Sequence, residues 1–295
     1  RGLLGYRYVA EKEAVGLTSG EDSWYDYYTA PQRGINIQKF RGPSETTDYN
    51  NPISLGAGAA IATYGNDKII NFRVFVLLSI PSLFFIEGTA NILAPQLALD
   101  DPDEPPFFAF LAIGDNSIEA GLGADFRIPR NSGDILSLNA KVEAGFFFNN
   151  PAAFYVNIGT RKEPITARIL SLLTAQTYLQ LSAKGIEAGA RAEFEFNKRY
   201  GPARVRAYAY VEVGGKISFE RPQIGGYMAV GGQAEVSIKI VSLSIALDLL
   251  LGAEAAKPFL IYAEVRICVR IRIVFRVKIC FKLALKWEKS RQVAR

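Results

Sequence analysis

The chain has 295 residues, 49% of them hydrophobic, with a formal net charge of +5 and no histidine. That length and apolar content can bury a substantial core, and the missing histidine excludes Ser-His-Asp, Cys-His and histidine-metal chemistry within the chain. Residues 258–295 hold ten Lys or Arg against Glu264 and Glu288; that segment carries +8 and the remainder −3, so the basicity belongs to one face and nucleic acid is disfavoured as a partner.

The chain begins with Arg1, has a single methionine, Met228, and opens without a charged-then-apolar leader, so it is expected to be a portion of a longer polypeptide or a processed product. Residues 1–50 crowd aromatic and polar side chains together, with Trp24, Tyr25, Tyr27 and Tyr28 among Gly20, Pro31, Gly34 and Pro43. No period is sustained there, and an irregular arm is predicted whose rings pack across a neighbouring sheet or subunit.

Residues 51–295 are expected to form a single large antiparallel β domain. Residues 53–64 are small and apolar, with Gly56 and Gly58. A dinucleotide loop would need a third glycine and a later acidic residue, so a strand with close backbone approach is preferred. Gly65, Asn66 and Asp67 predict a hairpin turn. The apolar run 72–86 is interrupted by Pro81 and is too short for a membrane helix; two buried strands around a bend are expected. Residues 99–106 form an acidic, proline-rich loop without the EF-hand calcium pattern.

Strict alternation follows. Ile118, Ala120, Leu122, Ala124, Phe126 and Ile128 share one parity, as do Leu136, Leu138, Ala140, Val142, Ala144, Phe146 and Phe148. Short turns between such strands make a meander the default topology. Ile165, Ile169, Leu172, Leu173 and Gln176 fit a helical stripe, and one short helix is allowed within 164–181, the β reading staying open. Alternation returns in 188–196, turns at 197–202, and resumes in 203–213, with Gly214, Gly215 and residues 222–226 expected to break the next strands. At Ile240 and Val241 the apolar parity switches, which predicts a bulge or sheet bend.

The last stretch organises the rest. Val265, Ile267, Val269, Ile271, Ile273, Phe275, Val277, Ile279, Phe281, Leu283, Leu285 and Trp287 occupy every second position, with Arg266, Arg270, Arg272, Arg276, Lys278, Lys282 and Lys286 between them. The parity never changes and residues 260–295 contain no Gly, Pro, Asn or Asp, so one very long strand is the preferred reading, an odd-length loop or a bulge being the alternative. Cys268 and Cys280 lie on the basic parity, about 40 Å apart if the chain is extended, and are read as half-buried thiols; a disulfide would require the strand to fold back.

Few residues offer catalysis. Glu193 and Glu195 are one strand repeat apart, as a solvated acidic face also requires, and no enzyme activity, metal or cofactor is expected. The seven cations are the candidate interaction face. Their favoured partners are Glu187, Glu193, Glu195, Glu212, Glu235 and Glu254 on neighbouring strands or subunits; a solvated or anion-lined lumen and a phosphate backbone are the other readings. Val265 through Phe281 at alternate positions are the candidate packing or lipid face, and Trp24, Tyr25, Tyr27 and Tyr28 the candidate arm contacts.

The segment 149–168, NNPAAFYVNIGTRKEPITAR, with the long alternating strands after it, resembles stretches of very large, uncharacterised β-rich bacterial proteins of the envelope or cell surface. The likeness covers about the last half of the chain. It implies a bacterial, structural role and transfers no catalytic residue. The reading is therefore mostly β: a large antiparallel meander, extended, curved or sandwich-like, with long strands, an irregular N-terminal arm and at most one short helix. Its expected function is a non-catalytic unit of a surface or envelope assembly, such as a filament, tube or scaffold, partnered by other copies or by the rest of a longer chain. A lipid-binding groove or membrane β-barrel is the alternative.

Overall fold

In the computed structural model, residues 2–7, 51–62, 70–92, 106–128, 135–221, 223–255, 259–273 and 275–289 are described. The arm residues Trp24, Tyr25, Tyr27 and Tyr28, the 65–67 turn and most of the acidic loop lie outside them. Strands dominate: β1 Gly2–Tyr6, β2 Ile53–Ala62, β3 Ile70–Ile80, β4 Leu83–Ile92, β5 Phe107–Gly114, β6 Ser117–Ile128, β7 Leu136–Phe147 and β8 Tyr155–Ile158. They continue as β9 Ile165–Ile169, β10 Leu173–Ser182, β11 Gly185–Tyr200, β12 Ala203–Ser218, β13 Gln223–Ile238, β14 Val241–Ala255, β15 Phe259–Arg272 and β16 Arg276–Lys289. All belong to one 16-stranded sheet, a meander in which sequence neighbours pair, except that β8 pairs with β7 and β10 rather than with β9, and β9 pairs with β10 and β7. The mostly-β antiparallel architecture read from alternation is the one observed.

Several local expectations are corrected. The helix allowed within 164–181 is β9 and β10, joined by a turn over 170–172; that three-residue turn sets two strand faces at spacings that imitate a helical stripe. Among the described residues the helical structure is a single 3₁₀ turn, Pro151–Ala153. The parity switch at Ile240 is a two-residue hairpin turn, with Ile238 opposite Val241 and Lys239 at φ 50°. Such a turn exchanges odd and even positions just as a bulge does. The strand before Gly201 runs on to Tyr200, and Gly214, Gly215, Gly225 and Gly226 lie inside β12 and β13 rather than breaking them. Residues 2–6 of the expected irregular arm form a strand paired with β2.

The largest correction concerns 265–287. It is two strands, β15 and β16, joined by the three-residue loop 273–275, with Arg272 opposite Arg276 and Ile267 opposite Phe281. An odd loop preserves parity, so the folded hairpin reads along the sequence like one strand. Folding back brings the Cα atoms of Cys268 and Cys280 to 4.1 Å, and the two form a disulfide instead of the expected free thiols.

The strands group into two compact units, one comprising residues 1–126 with 141–155 and the other 127–140 with 156–295. In the first, Phe75, Leu77, Leu83, Phe85 and Ala112 make a small buried apolar cluster with Leu3 and Phe110 against it. The same face carries buried Ser54, Asn71, Ser79, Asn91 and Ser117, with Ser54 and Ser79 bonded hydroxyl to hydroxyl at 2.8 Å. Its reverse is apolar and open: Leu55, Phe72, Leu78, Ile80, Phe84 and Leu122 are exposed. The run 72–86 is thus two strands about Pro81, as expected, but only its odd positions are buried.

In the second unit, glycine and tyrosine face each other across neighbouring strands. Gly189 lies opposite Tyr178, Gly214 opposite Tyr227, Gly231 opposite Tyr210 and Gly252 opposite Tyr262. Each ring lies against its glycine, occupying the space a Cβ would need. This is why glycines persist within long strands where their flexibility is otherwise unfavourable.

Candidate functional site

The second unit divides into two chemically distinct faces. Antiparallel register places Ala203, Val205, Ala207, Ala209, Val211, Val213 and Ile217 of β12 on the same side as Ile224, Met228, Val230, Val236 and Ile238 of β13. Leu243, Ile245, Leu247, Leu249 and Leu251 of β14 extend that side, followed by Ile261, Val265, Ile267, Val269 and Ile271 of β15 and Val277, Ile279, Phe281, Leu283, Leu285 and Trp287 of β16. No charged residue interrupts these rows until Lys289 at the end of β16.

The opposite face is polar. Arg191 is at its centre, donating from Nη1 to Glu212 Oε2 at 2.8 Å and from Nη2 to the Tyr208 hydroxyl at 2.9 Å, and also pairing with Glu193. Its guanidinium lies 4.8 Å from the Tyr210 ring centroid. The Tyr227 hydroxyl donates to Glu212 Oε1 at 2.6 Å and Tyr208 donates to Glu193 at 3.2 Å. Arg161 pairs with Glu187 at 3.4 Å and Arg206 with Glu235 at 3.9 Å. The network exists because register sets Arg191 directly opposite Glu212, an opposite-charge cross-strand pair.

Burial is distributed in an unusual way between these faces. Consecutive residues show it: Ser79 is 1% exposed and Ile80 52%, while Ser244 is 8% exposed and Ile245 51%. Every one of the sixteen strands carries at least one large apolar side chain that is exposed, whereas the described core holds five buried apolar residues and six buried polar ones. A water-soluble sheet places its polar side outward; here serines and asparagines are covered while apolar residues beside them are exposed, and on β16 both faces are exposed.

The hairpin of β15 and β16 carries the candidate interaction residues. Arg266, Arg270, Arg272, Arg276, Lys278, Lys282 and Lys286 all lie on its polar side, and register sets like charges opposite one another: Arg266 with Lys282, Arg270 with Lys278, Arg272 with Arg276. The disulfide stands between the first two of these pairs. Lys282 reaches Glu264 at 2.9 Å and Lys286 reaches Glu288 at 3.3 Å. Of the carboxylates favoured as partners for this stripe, Glu187, Glu193, Glu212 and Glu235 are instead engaged by Arg161 of the β8–β9 connection and by Arg191 and Arg206 on their own or neighbouring strands.

Val265 through Ile271 and Val277 through Phe281 at alternate positions lie on the apolar side as expected, while Ile273 and Phe275 sit in the loop. The Arg191 network was not singled out from sequence, although Arg191 and Glu193 at strand spacing, with tyrosines at the same parity on β12, were visible signals. Among the described residues no group of three His, Cys, Asp or Glu side chains is placed to hold a metal, and no helix is long and apolar enough to cross a membrane. No protein-family model, no curated protein and no solved structure matches this chain.

Proposed function

We propose that this chain forms wall of a transmembrane β-barrel, with its apolar face against lipid acyl chains and its polar face toward a water-filled interior. The observation that carries the reading is the inverted burial, in which apolar side chains are exposed on every strand while serines and asparagines beside them are covered. In a bilayer this arrangement is the favourable one, because the acyl chains take the place of a core and each strand alternates between lipid and lumen.

Strand length agrees. The apolar row of β12 runs from Ala203 to Ile217, as those of β13 and β14 run from Ile224 to Ile238 and from Val241 to Ala255. Each covers about 46 Å along the strand at ~3.3 Å per residue, and a tilt of about 45° projects this to ~33 Å, close to the ~30 Å of the hydrocarbon layer. A second copy of the chain is a weaker cover for this side, because protein interfaces end in a polar rim within a limited area, and these rows continue over all the strands of the unit.

A bilayer admits no unpaired backbone. The outermost strands of the described sheet, β1 and β16, each have one neighbour, so in this reading each is completed by a further strand from another copy or from a longer polypeptide. The envelope location and the association with other copies belong to the same proposal.

The test uses Trp287, exposed on the apolar side. In a Trp24→Phe variant reconstituted in vesicles, its fluorescence should be quenched by lipids brominated along the acyl chain and protected from aqueous iodide. Quenching by iodide alone, from a chain that stays dispersed without detergent, would falsify the reading.

A further inference from the structure

We infer that the β15–β16 hairpin makes the interior anion-selective, with small inorganic anions as the species that occupy and cross it; this rests on the barrel reading above. Seven cations face that interior from the two strands, against Glu264 and Glu288 on the same strands. Asp248 of β14 lies opposite Arg266, but Ser242 and Ser244 are what face Arg272 and Arg270. Arg270, Arg272, Arg276 and Lys278 therefore form a block of positive charge in which no carboxylate of the described residues lies within ion-pair distance.

Like charges directly opposite on paired strands repel. The disulfide between Cys268 and Cys280 holds the strands in register through the middle of the stripe, so the hairpin cannot relieve that repulsion by separating there. The described residues do not supply the counter-charge, and in this reading it comes from solution. In a water-filled passage through a low-dielectric layer such a field concentrates ions of the opposite sign, and rings or rows of Arg and Lys favour anions. The cations run from Arg276 to Lys286, about 33 Å along the strand at ~3.3 Å per residue, and so line much of the depth of a bilayer after tilt. Consecutive levels lie one strand repeat apart from Arg272 and Arg276 to Arg270 and Lys278, and two repeats apart across the disulfide and across the level of Glu264 and Ala284, so the anion positions form a stepped row along the hairpin. The rest of the unit's polar face does not supply an equivalent row: Arg191 and Arg206 are engaged by Glu193, Glu212 and Glu235, Lys216 lies opposite Glu187, and Arg199 opposite Arg204 is a single like-charge level.

The experiment is the reversal potential of the full chain in a planar lipid bilayer under a potassium chloride gradient. The unmodified protein should reverse on the chloride side. Arg270→Glu combined with Lys278→Glu should move the reversal potential toward that of potassium, whereas Glu264→Gln, which removes a carboxylate from the same face, should move it further toward chloride. Inorganic phosphate should reduce the chloride current of the unmodified protein, a measurement that needs no variant to fold. A current that reverses at zero or on the potassium side, or a conducting double variant with an unshifted potential, overturns the inference and leaves the barrel reading standing. Insertion without any current also overturns it, and a chain that never enters lipid overturns the reading beneath it.

Discussion

The strand pairs β11–β12 and β15–β16 share one backbone plan and, except where Arg199 faces Arg204 near the end of the first, use charge in opposite ways. Both alternate strictly, both turn an apolar row outward, and both bring charged residues directly across from one another. In the first, Arg191 meets Glu212 and donates also to Glu193 and Tyr208. In the second, arginine meets lysine or arginine three times, and a covalent bond holds the ladder together. Alternation decides that a face is polar; register decides whether its charges cancel or accumulate.

Opening the disulfide is the strongest way to break this contrast. Cys268→Ser with Cys280→Ser releases a loop of twelve residues' separation and should destabilise the hairpin by about 3 kcal/mol. Hydrogen exchange should quicken in β16 and stay unchanged in β11 and β12. Equal quickening in both regions would mean that the crosslink supports the whole unit rather than this ladder. Next in size, Arg191→Met leaves Glu193 and Glu212 without their cation in a half-buried setting, and should cost about 1–2 kcal/mol in urea unfolding, the partial exposure of the group keeping it below the value for a buried pair. Adding Glu212→Gln to it should cost less than the two single losses together. The smallest effect sharpens the comparison: raising salt from low to physiological strength should stabilise β15–β16 by about 0.5 kcal/mol through screening of like charges and weaken the Arg191 network slightly. Exchange rates in the two strand pairs should therefore move in opposite directions.

Much of this fold can be read from the chain because a period of two survives any amount of sequence variation in the side chains that carry it. Ile118 to Ile128 and Ala203 to Val213 announce strands whatever their neighbours are. Turns are harder where they lack their usual residues. Residues 273–275 are Ile, Val and Phe, and three residues leave parity intact, so a hairpin imitates a strand; Lys239 and Ile240 reverse parity and so imitate a bulge. The pairing of Cys268 with Cys280 is hidden for the same reason, since their separation is long or short according to whether the chain turns between them. The seven cations and the apolar row were legible as two faces. Which face is covered was not, because alternation is symmetric between a sheet with its greasy side in and one with its greasy side out. The Arg191 cluster depends on the pairing register of β11 with β12, and no single strand contains that information.

The three-residue loop between β15 and β16 also has a meaning for inheritance. Loss or gain of one codon there would turn β16 over, carrying Arg276, Lys278, Lys282 and Lys286 to the greasy side and Phe281, Leu283 and Trp287 to the wet one, while a change of two codons would leave every side chain facing as before. Descendants of this gene can therefore vary the length of that loop only by even steps, and an odd step would have to be matched by a second odd step elsewhere in the hairpin.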